Sequence, residues 1–295
     1  MESIHKTVLL NETIEGLNLV ERPVVLDCTL GGGGHSLEIC RRYSESKIIA
    51  IDQDRSALEK AQEKFKNLHC DITFLNANFK ELENFVDFPV DAVIFDLGLS
   101  SDQLKNSGRG FSFLKNEPLL MTMKENPVPE DLTAADIVNT WNERNLADVI
   151  YGYGEEKFAR KIARKIIEER KKKKIMTTFD LVEIIREAVP ASYKRRRLHF
   201  ATKTFQALRI AVNDELRTLR SGLEKGFEAL KKNGRIAVIS FHSLEDRVVK
   251  NFFKEKVKEK SAKVINKKPI MASVEELKNN PRSRSAKLRI LEKII

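Results

Sequence analysis

Cysteine, tryptophan and proline are scarce in this 295-residue chain, at three, one and eight residues. The cysteines Cys28, Cys40 and Cys70 are odd in number and far apart. No Cys-x-x-Cys occurs, and no histidine stands near a cysteine at metal-ligand spacing, which argues against a disulfide framework and against a bound metal. No apolar run approaches the roughly 18 residues that cross a bilayer, so no membrane partner is expected. The opening Met1-Glu2-Ser3-Ile4-His5-Lys6 lacks a basic stretch followed by an apolar core, so a secretory signal is not expected and the cytoplasm is the default location. Charge is plentiful instead, at 33% of residues beside 41% hydrophobic. That apolar share suffices for a core and excludes a wholly disordered chain. Lys and Arg outnumber Asp and Glu 53 to 43, a net charge of +10. A polyanionic partner, RNA or DNA first, fits this surplus, and a solvated basic surface is the plain alternative.

The first hundred residues alternate short apolar runs with amphipathic stretches. Val24-Val25-Leu26-Asp27, Lys47-Ile48-Ile49-Ala50-Ile51, Ile72-Thr73-Phe74-Leu75 and Asp91-Ala92-Val93-Ile94-Phe95-Asp96 read as strands. Between the second and third, Leu58, Ala61, Phe65 and Leu68 fall at helical spacing behind a capping Asp54. Apolar runs separated by such helices imply parallel strands covered on both faces, hence an α/β doubly wound sheet. Prolines 118, 127 and 129 mark irregular chain, and 133–188 reads as helical and highly charged, with one helix over 155–174 and a Thr177/Asp180 capping box. The expected layout is an α/β domain made of 1–108 and 205–295, carrying an all-helical insertion over 109–204. Apolar residues from Phe205 to Leu230 predict one long helix, broken at Gly222 or Gly226 and stopped by Asn233-Gly234. A fifth strand follows at Arg235-Ile236-Ala237-Val238-Ile239-Ser240, and 262–266 with 287–294 form an antiparallel hairpin.

The sharpest chemical signal is Asp27-Cys28-Thr29-Leu30-Gly31-Gly32-Gly33-Gly34-His35, at the end of the first strand. Glycines there permit close approach of backbone to a ligand. Asp52, ending the second strand, suits the hydroxyls of a ribose. A dinucleotide fingerprint fails, because the third glycine of G-x-G-x-x-G would be Ser36 or Leu37. The acid-first pattern Asp27-x-x-x-Gly31-x-Gly33 resembles the first motif of S-adenosylmethionine-dependent methyltransferases. Carboxylates beside that ligand's cationic sulfur and ammonium attract it. Asp96 puts a third acid at a strand tip; alone it reads as a turn or cap, but three acids in one crevice would repel unless a cation lay between them.

Several further blocks carry a fuller resemblance. They are His5-Lys6-Thr7-Val8-Leu9-Leu10, Asp96-Leu97-Gly98-Leu99-Ser100-Ser101, Arg109-Gly110-Phe111-Ser112-Phe113 and Tyr153-Gly154-Glu155-Glu156. Beyond these come Thr204-Phe205-Gln206-Ala207-Leu208-Arg209-Ile210, Ser240-Phe241-His242-Ser243-Leu244-Glu245-Asp246-Arg247 and Asn280-Pro281-Arg282-Ser283-Arg284-Ser285. Together with the glycine loop they closely resemble the bacterial ribosomal RNA small-subunit methyltransferase H (MraW) family. The resemblance implies a class I S-adenosylmethionine-methyltransferase Rossmann-like sheet and methylation of N4 of a cytidine in the decoding region of 16S rRNA, within the small ribosomal subunit. It also implies that Gly33, Gly34 and His35 touch the cofactor, that Asp52 holds its ribose, that Phe79 lies near the adenine, and that Asp96 and Gln103 complete the pocket. Without it, Phe79 reads as ordinary core and Gln103 as surface.

Two stretches depart from the family pattern. A D-G-P-L-D-M-R-M-like run is replaced by Asn116-Glu117-Pro118-Leu119-Leu120-Met121-Thr122-Met123, and His-Pro-Ala by His199-Phe200-Ala201. The D/N-P-P-Y/F segment of other amino-methyltransferases is replaced by Asp96-Leu97-Gly98-Leu99-Ser100. Asp96, or a neighbouring carbonyl, is the candidate acceptor for the target amine. His242 is the candidate for the released proton, its plain alternative being a turn cap. Basic clusters at 170–174, 194–197 and Arg282, Arg284 and Lys287 are candidates for gripping RNA. Two other classes of function stay open on sequence: a non-catalytic ribosome-assembly factor retaining the cofactor site, and a DNA amino-methyltransferase.

Overall fold

The computed structural model describes residues 6–125 and 127–295, so His5 of the opening motif lies outside the described residues. Seven strands form one sheet: β1 (Val24–Asp27), β2 (Lys47–Asp52), β3 (Asp71–Asn76), β4 (Val90–Asp96), β5 (Leu230–Ser240), β6 (Ala262–Val264) and β7 (Lys287–Lys293). Their order is β3-β2-β1-β4-β5-β7-β6. The first five run parallel, whereas β7 lies antiparallel to both β5 and β6. This is a Rossmann-like sheet, as expected. Alternate residues of each central strand enter opposite layers: Val25, Ile48, Ile94 and Ile239 pack on one side, and Leu26, Ile49, Phe95 and Val238 on the other. Burial on both faces is why these strands read as unbroken apolar runs.

Helices α1 (Leu10–Leu17), α2 (Gly34–Arg42) and α3 (Arg55–Phe65) cover the first face. The helical segments that follow are α4 (Ser101–Asn106), α5 (Ala134–Thr140), α6 (Glu143–Gly154), α7 (Ala159–Arg170), α8 (Thr178–Ala188), α9 (Ala191–Lys194) and α10 (Thr202–Asn213). Then come α11 (Glu215–Ala229), α12 (Ser243–Lys258) and α13 (Val274–Asn279); α11 and α12 cover the second face of the sheet.

The chain divides into two compact units, Met1–Gly98 with Leu216–Ile295, and Leu99–Glu215. Both boundaries lie about ten residues outside those expected for the insertion, because Leu99 and Leu104 at one end and Ala211 and Val212 at the other pack onto the helical unit's own core. That unit is built on α6 and α10. Gln206 Nε2 donates to the Tyr153 carbonyl at 3.1 Å, and Arg209 grips Glu215 through two bonds of 2.8 and 2.9 Å. Buried Glu156 accepts from Phe158 N (2.9 Å) and from the Tyr193 hydroxyl (2.5 Å). Two of the sequence blocks thus serve as internal joints of this unit. The Thr177/Asp180 capping box is present as expected.

Four expectations need correction. Cys40 and Cys70 form a disulfide with Cα atoms 5.4 Å apart. Helix α2 runs back to the amino-terminal end of the sheet, where the β2–β3 register sets Lys47 beside Asp71 and so brings Cys70 near the helix end. Closing a loop with a sequence separation of 30 stabilises the fold by on the order of 3–4 kcal/mol. The long helix is two helices, broken at Asp214 and not at a glycine. Asp214 adopts φ 46°, and Asn213 turns outward to accept from Met123 N and to donate to the Met121 carbonyl. Asn233-Gly234 lies inside β5, where the register with β4 shifts, and does not stop a helix. Finally, α7 starts at Ala159 because Glu155, at φ 49°, closes α6. Among the described residues no helix is long and apolar enough to cross a membrane.

Candidate cofactor site at the strand tips

Strands β1, β2 and β4 each end in an acid: Asp27, Asp52 and Asp96. Asp27 is buried and braces the glycine loop, accepting from Thr29 N at 3.1 Å and from the Ser36 hydroxyl at 2.6 Å. Thr29 in turn takes the Asp96 amide proton on its Oγ1 at 2.6 Å, tying the tip of β1 to that of β4. The loop turns through Gly33, whose φ of 75° is a region that a side chain disfavours. Gly34 opens α2 directly under the Thr7 side chain.

Asp52 accepts from Gly31 N (2.7 Å) and Asp54 N (2.8 Å), one bond to each carboxylate oxygen. A carboxylate has about four lone-pair sites, so two remain for a vicinal diol. Burial raises the Asp27 and Asp52 carboxyls to about 6, against the bonds that favour their ionised forms. Burial, reinforced by the negative charges of Asp27 and Glu245, pushes Asp96 well above the usual carboxylate range. Asp96 Oδ2 lies 3.7 Å from Nδ1 of buried His35. Its Oδ1 is closed to solvent with no hydrogen-bond partner among the described residues.

These features fit S-adenosylmethionine. The three acids stand close enough to raise one another's carboxyls, a repulsion that a sulfonium and an ammonium would relieve; the loop glycines permit close backbone approach, and Asp52 retains acceptor capacity for the ribose. Phe79, which the resemblance puts near the adenine, is half-buried just beyond β3 and edge-on to Phe95 with ring centroids 5.3 Å apart. Gly222 of α11 makes room for that ring, since a Cβ there would stand 2.5 Å from Phe79 Cδ2 and 3.2 Å from Phe95 Cε1. Phe95 is held in the sheet, so Phe79 must move. Gly222→Ala is therefore expected to raise KM for S-adenosylmethionine roughly tenfold with kcat little changed. Gly226→Ala, whose Cβ would meet Val93 Cγ1 at 3.2 Å and Phe95 Cε2 at 3.3 Å with no Phe79 atom among its nearest contacts, is the control and is expected to alter thermal stability with KM unchanged. Steady-state kinetics on both variants decides it, and equal KM values would remove Gly222 from the site.

The remaining candidates are placed as follows. Gln103 belongs to the helical unit, where it and Ser100 cap α4 reciprocally, Gln103 Oε1 accepting from Ser100 N at 2.9 Å. His242 is the N-cap of α12: its Nδ1 accepts from Glu245 N at 3.3 Å, and its Nε2 lies 3.1 Å from Glu245 Oε1. Both ring nitrogens thus face the cap, the plain reading named above. Thr29 and Ser36, which brace the loop, and Gly222, which packs on Phe79, were not singled out by the sequence alone. Thr29 and Ser36 were visible only as loop neighbours, and Gly222 only as a helix weak point.

A family model described as the MraW methylase family matches residues 2–294. A ribosomal RNA small subunit methyltransferase H from Clostridium botulinum (strain Kyoto / Type A2) is 46% identical over 314 aligned positions, covering 100% of both chains. One of the same name from Brevibacillus brevis is 44% identical over 98% of each. A solved rRNA methylase from Streptococcus thermophilus superposes with a TM-score of 0.47 at 12% identity, over 98% of each chain. Acids at three strand tips around a glycine loop, joined to a family match that runs nearly end to end, show that the chain belongs to the MraW methylase family of S-adenosylmethionine-dependent methyltransferases.

Proposed function

We propose that this methyltransferase acts on 16S rRNA in the small ribosomal subunit, at N4 of a cytidine of the decoding region. The relatives' shared name supports an rRNA substrate, and the net charge of +10 suits a polyanion. The observation that carries an amine target is Asp96 Oδ1, buried beside the glycine loop and without a hydrogen-bond partner among the described residues. The exocyclic amine of cytosine is a weak nucleophile because its lone pair is delocalised into the ring. Asp96, ionised once a cation lies among the three acids, accepts an amine hydrogen and holds the nitrogen in line. S-adenosylmethionine supplies the methyl group on a cationic sulfur. As the N–C bond forms and the C–S bond breaks, Asp96 takes the proton that nitrogen loses. His242 keeps α12 capped and Glu245 in place at the same tip. The target base reaches the crevice unpaired.

Incubation with labelled S-adenosylmethionine and 30S subunits, naked 16S rRNA or DNA tests this reading. The expected product is N4-methylcytidine in the rRNA, read by nucleoside mass spectrometry. Labelled DNA would make it a DNA amino-methyltransferase, and cofactor binding without transfer would make it an assembly factor.

The acids also set a pH dependence. Asp27 and Asp52 have carboxyls raised to about 6 from 3.8. Groups raised in this way favour the folded state below about pH 4 and lose that contribution as pH climbs through 6. A cationic ligand restores it. Preference for S-adenosylmethionine over its neutral-sulfur product S-adenosylhomocysteine is therefore expected to grow about tenfold between pH 5 and 7.5. Calorimetric titration at both pH values checks this, and a flat ratio would show that the acids do not sense the sulfur charge.

A further inference from the structure

The helical unit carries a run of stacked rings that methyl transfer does not use. Phe113 and His199 stack face to face, with centroids 4.4 Å apart and planes 7° apart. His199 also meets Phe200 at 4.2 Å and 31°. The inner end is anchored where Phe113 meets buried Phe205 edge-on at 5.5 Å. His199 Nδ1 accepts from Ala201 N at 3.3 Å, which fixes the orientation of the imidazole. Burial holds His199 below its ordinary value, so the ring is neutral at pH 7 and stacks without a charge to desolvate.

Phe113, His199 and Phe200 are all only half-buried, and neighbouring Leu198 and Leu114 are 52% and 77% exposed. Four consecutive cations, Lys194, Arg195, Arg196 and Arg197, precede Leu198, all exposed. Exposed apolar groups beside a block of like charge mark a contact surface. A flat apolar face joined to positive charge matches a nucleobase attached to its phosphate chain. An acidic protein segment would match the charge but not the ring stack. Phe200 also stands where the resembled pattern has proline, so the outermost ring is a feature of this chain.

We infer that the Phe113–His199–Phe200 stack is a platform for an unpaired RNA base, with residues 194–197 holding the adjoining phosphates. The inference rests on the rRNA reading above, and it names a contact outside the cofactor site.

The test measures binding of 16S rRNA to the full chain over a series of salt concentrations. Phe200→Ala is expected to weaken binding about tenfold without changing the slope of log affinity against log salt, because stacking releases no counter-ions. Replacing residues 194–197 by glutamine flattens that slope. Phe200→Trp retains affinity, and its indole fluorescence is quenched on RNA binding. S-adenosylmethionine affinity stays as in the wild type for all three variants; Phe200 packs on the helical unit's core, so Phe200→Ala also lowers thermal stability, and binding is compared well below its melting temperature. Wild-type affinity in Phe200→Ala, an altered slope in that variant, or an unquenched Trp would overturn the platform alone. A wild-type chain that fails to bind 16S rRNA would overturn the substrate reading, and the platform with it.

Discussion

Replacing Asp96 by asparagine is expected to slow methyl transfer at least a hundredfold, roughly the effect of removing one aligned polar group from a transition state. The variant keeps the shape of the side chain but can present an amide donor to the substrate amine. Single-turnover rates with saturating S-adenosylmethionine isolate the chemical step, and equilibrium dialysis reports cofactor affinity separately. Affinity should fall less than about tenfold, because Asp27 and Asp52 still face the ligand. A second readout moves the other way. Asp96 stands among the charges of Asp27 and Glu245, and its carboxyl is pushed up by burial and by both of them. A neutral isostere relieves that repulsion, so the unliganded variant should melt at a higher temperature than the wild type near neutral pH. A variant that transfers methyl groups at the wild-type rate would end the acceptor assignment. One that loses all cofactor binding would show Asp96 to be part of the nest alone.

Asp52→Ala carries the second large effect. Two hydrogen bonds from ribose hydroxyls to a carboxylate are together worth about 3–4 kcal/mol, so Kd for S-adenosylmethionine should rise on the order of a hundredfold or more. The side chain also accepts from Gly31 N and Asp54 N, so its loss frees the glycine loop at one end. Asp52→Asn keeps an oxygen acceptor and should fall between the wild type and Asp52→Ala. Calorimetric titration of the three proteins gives the order, and an unchanged Kd in Asp52→Ala would remove the ribose contact. At saturating cofactor the chemical step should be little affected, which separates this residue from Asp96.

The central strands were legible because they are buried on both faces, which leaves short apolar runs; three of them end in acids, Asp52 and Asp96 each standing two residues beyond the register partner of Asp27. The glycine loop was legible because its backbone leaves no choice of residue. Phe79 was not, since a half-buried ring after a strand looks like core, and only the family resemblance raised it. Its packing against Gly222 joins residues 143 positions apart, beyond the reach of any local pattern. The Cys40–Cys70 pair failed for the same reason: spacing along the chain says nothing of where α2 ends relative to β3. The break at Asp214 escaped because a non-glycine left-handed residue, held by the outward bonds of Asn213, leaves the apolar periodicity intact. The insertion limits were misplaced where helices begin in one unit's sequence style and pack in the other's.

The segment from Lys6 to Leu9, beside the loop, is held by two partners far along the chain. Asn280 Nδ2 donates to the Lys6 carbonyl at 3.0 Å, and Glu276 accepts the Leu9 amide at 2.9 Å, while Thr7 between them sits on Gly34. Lys6 is thus fastened by a residue that is synthesised 274 positions later. During synthesis the helical unit emerges whole and can close its own core, whereas β4 waits for β5 with one edge unpaired. A nascent chain halted before residue 276 therefore lacks the clasp beside the glycine loop.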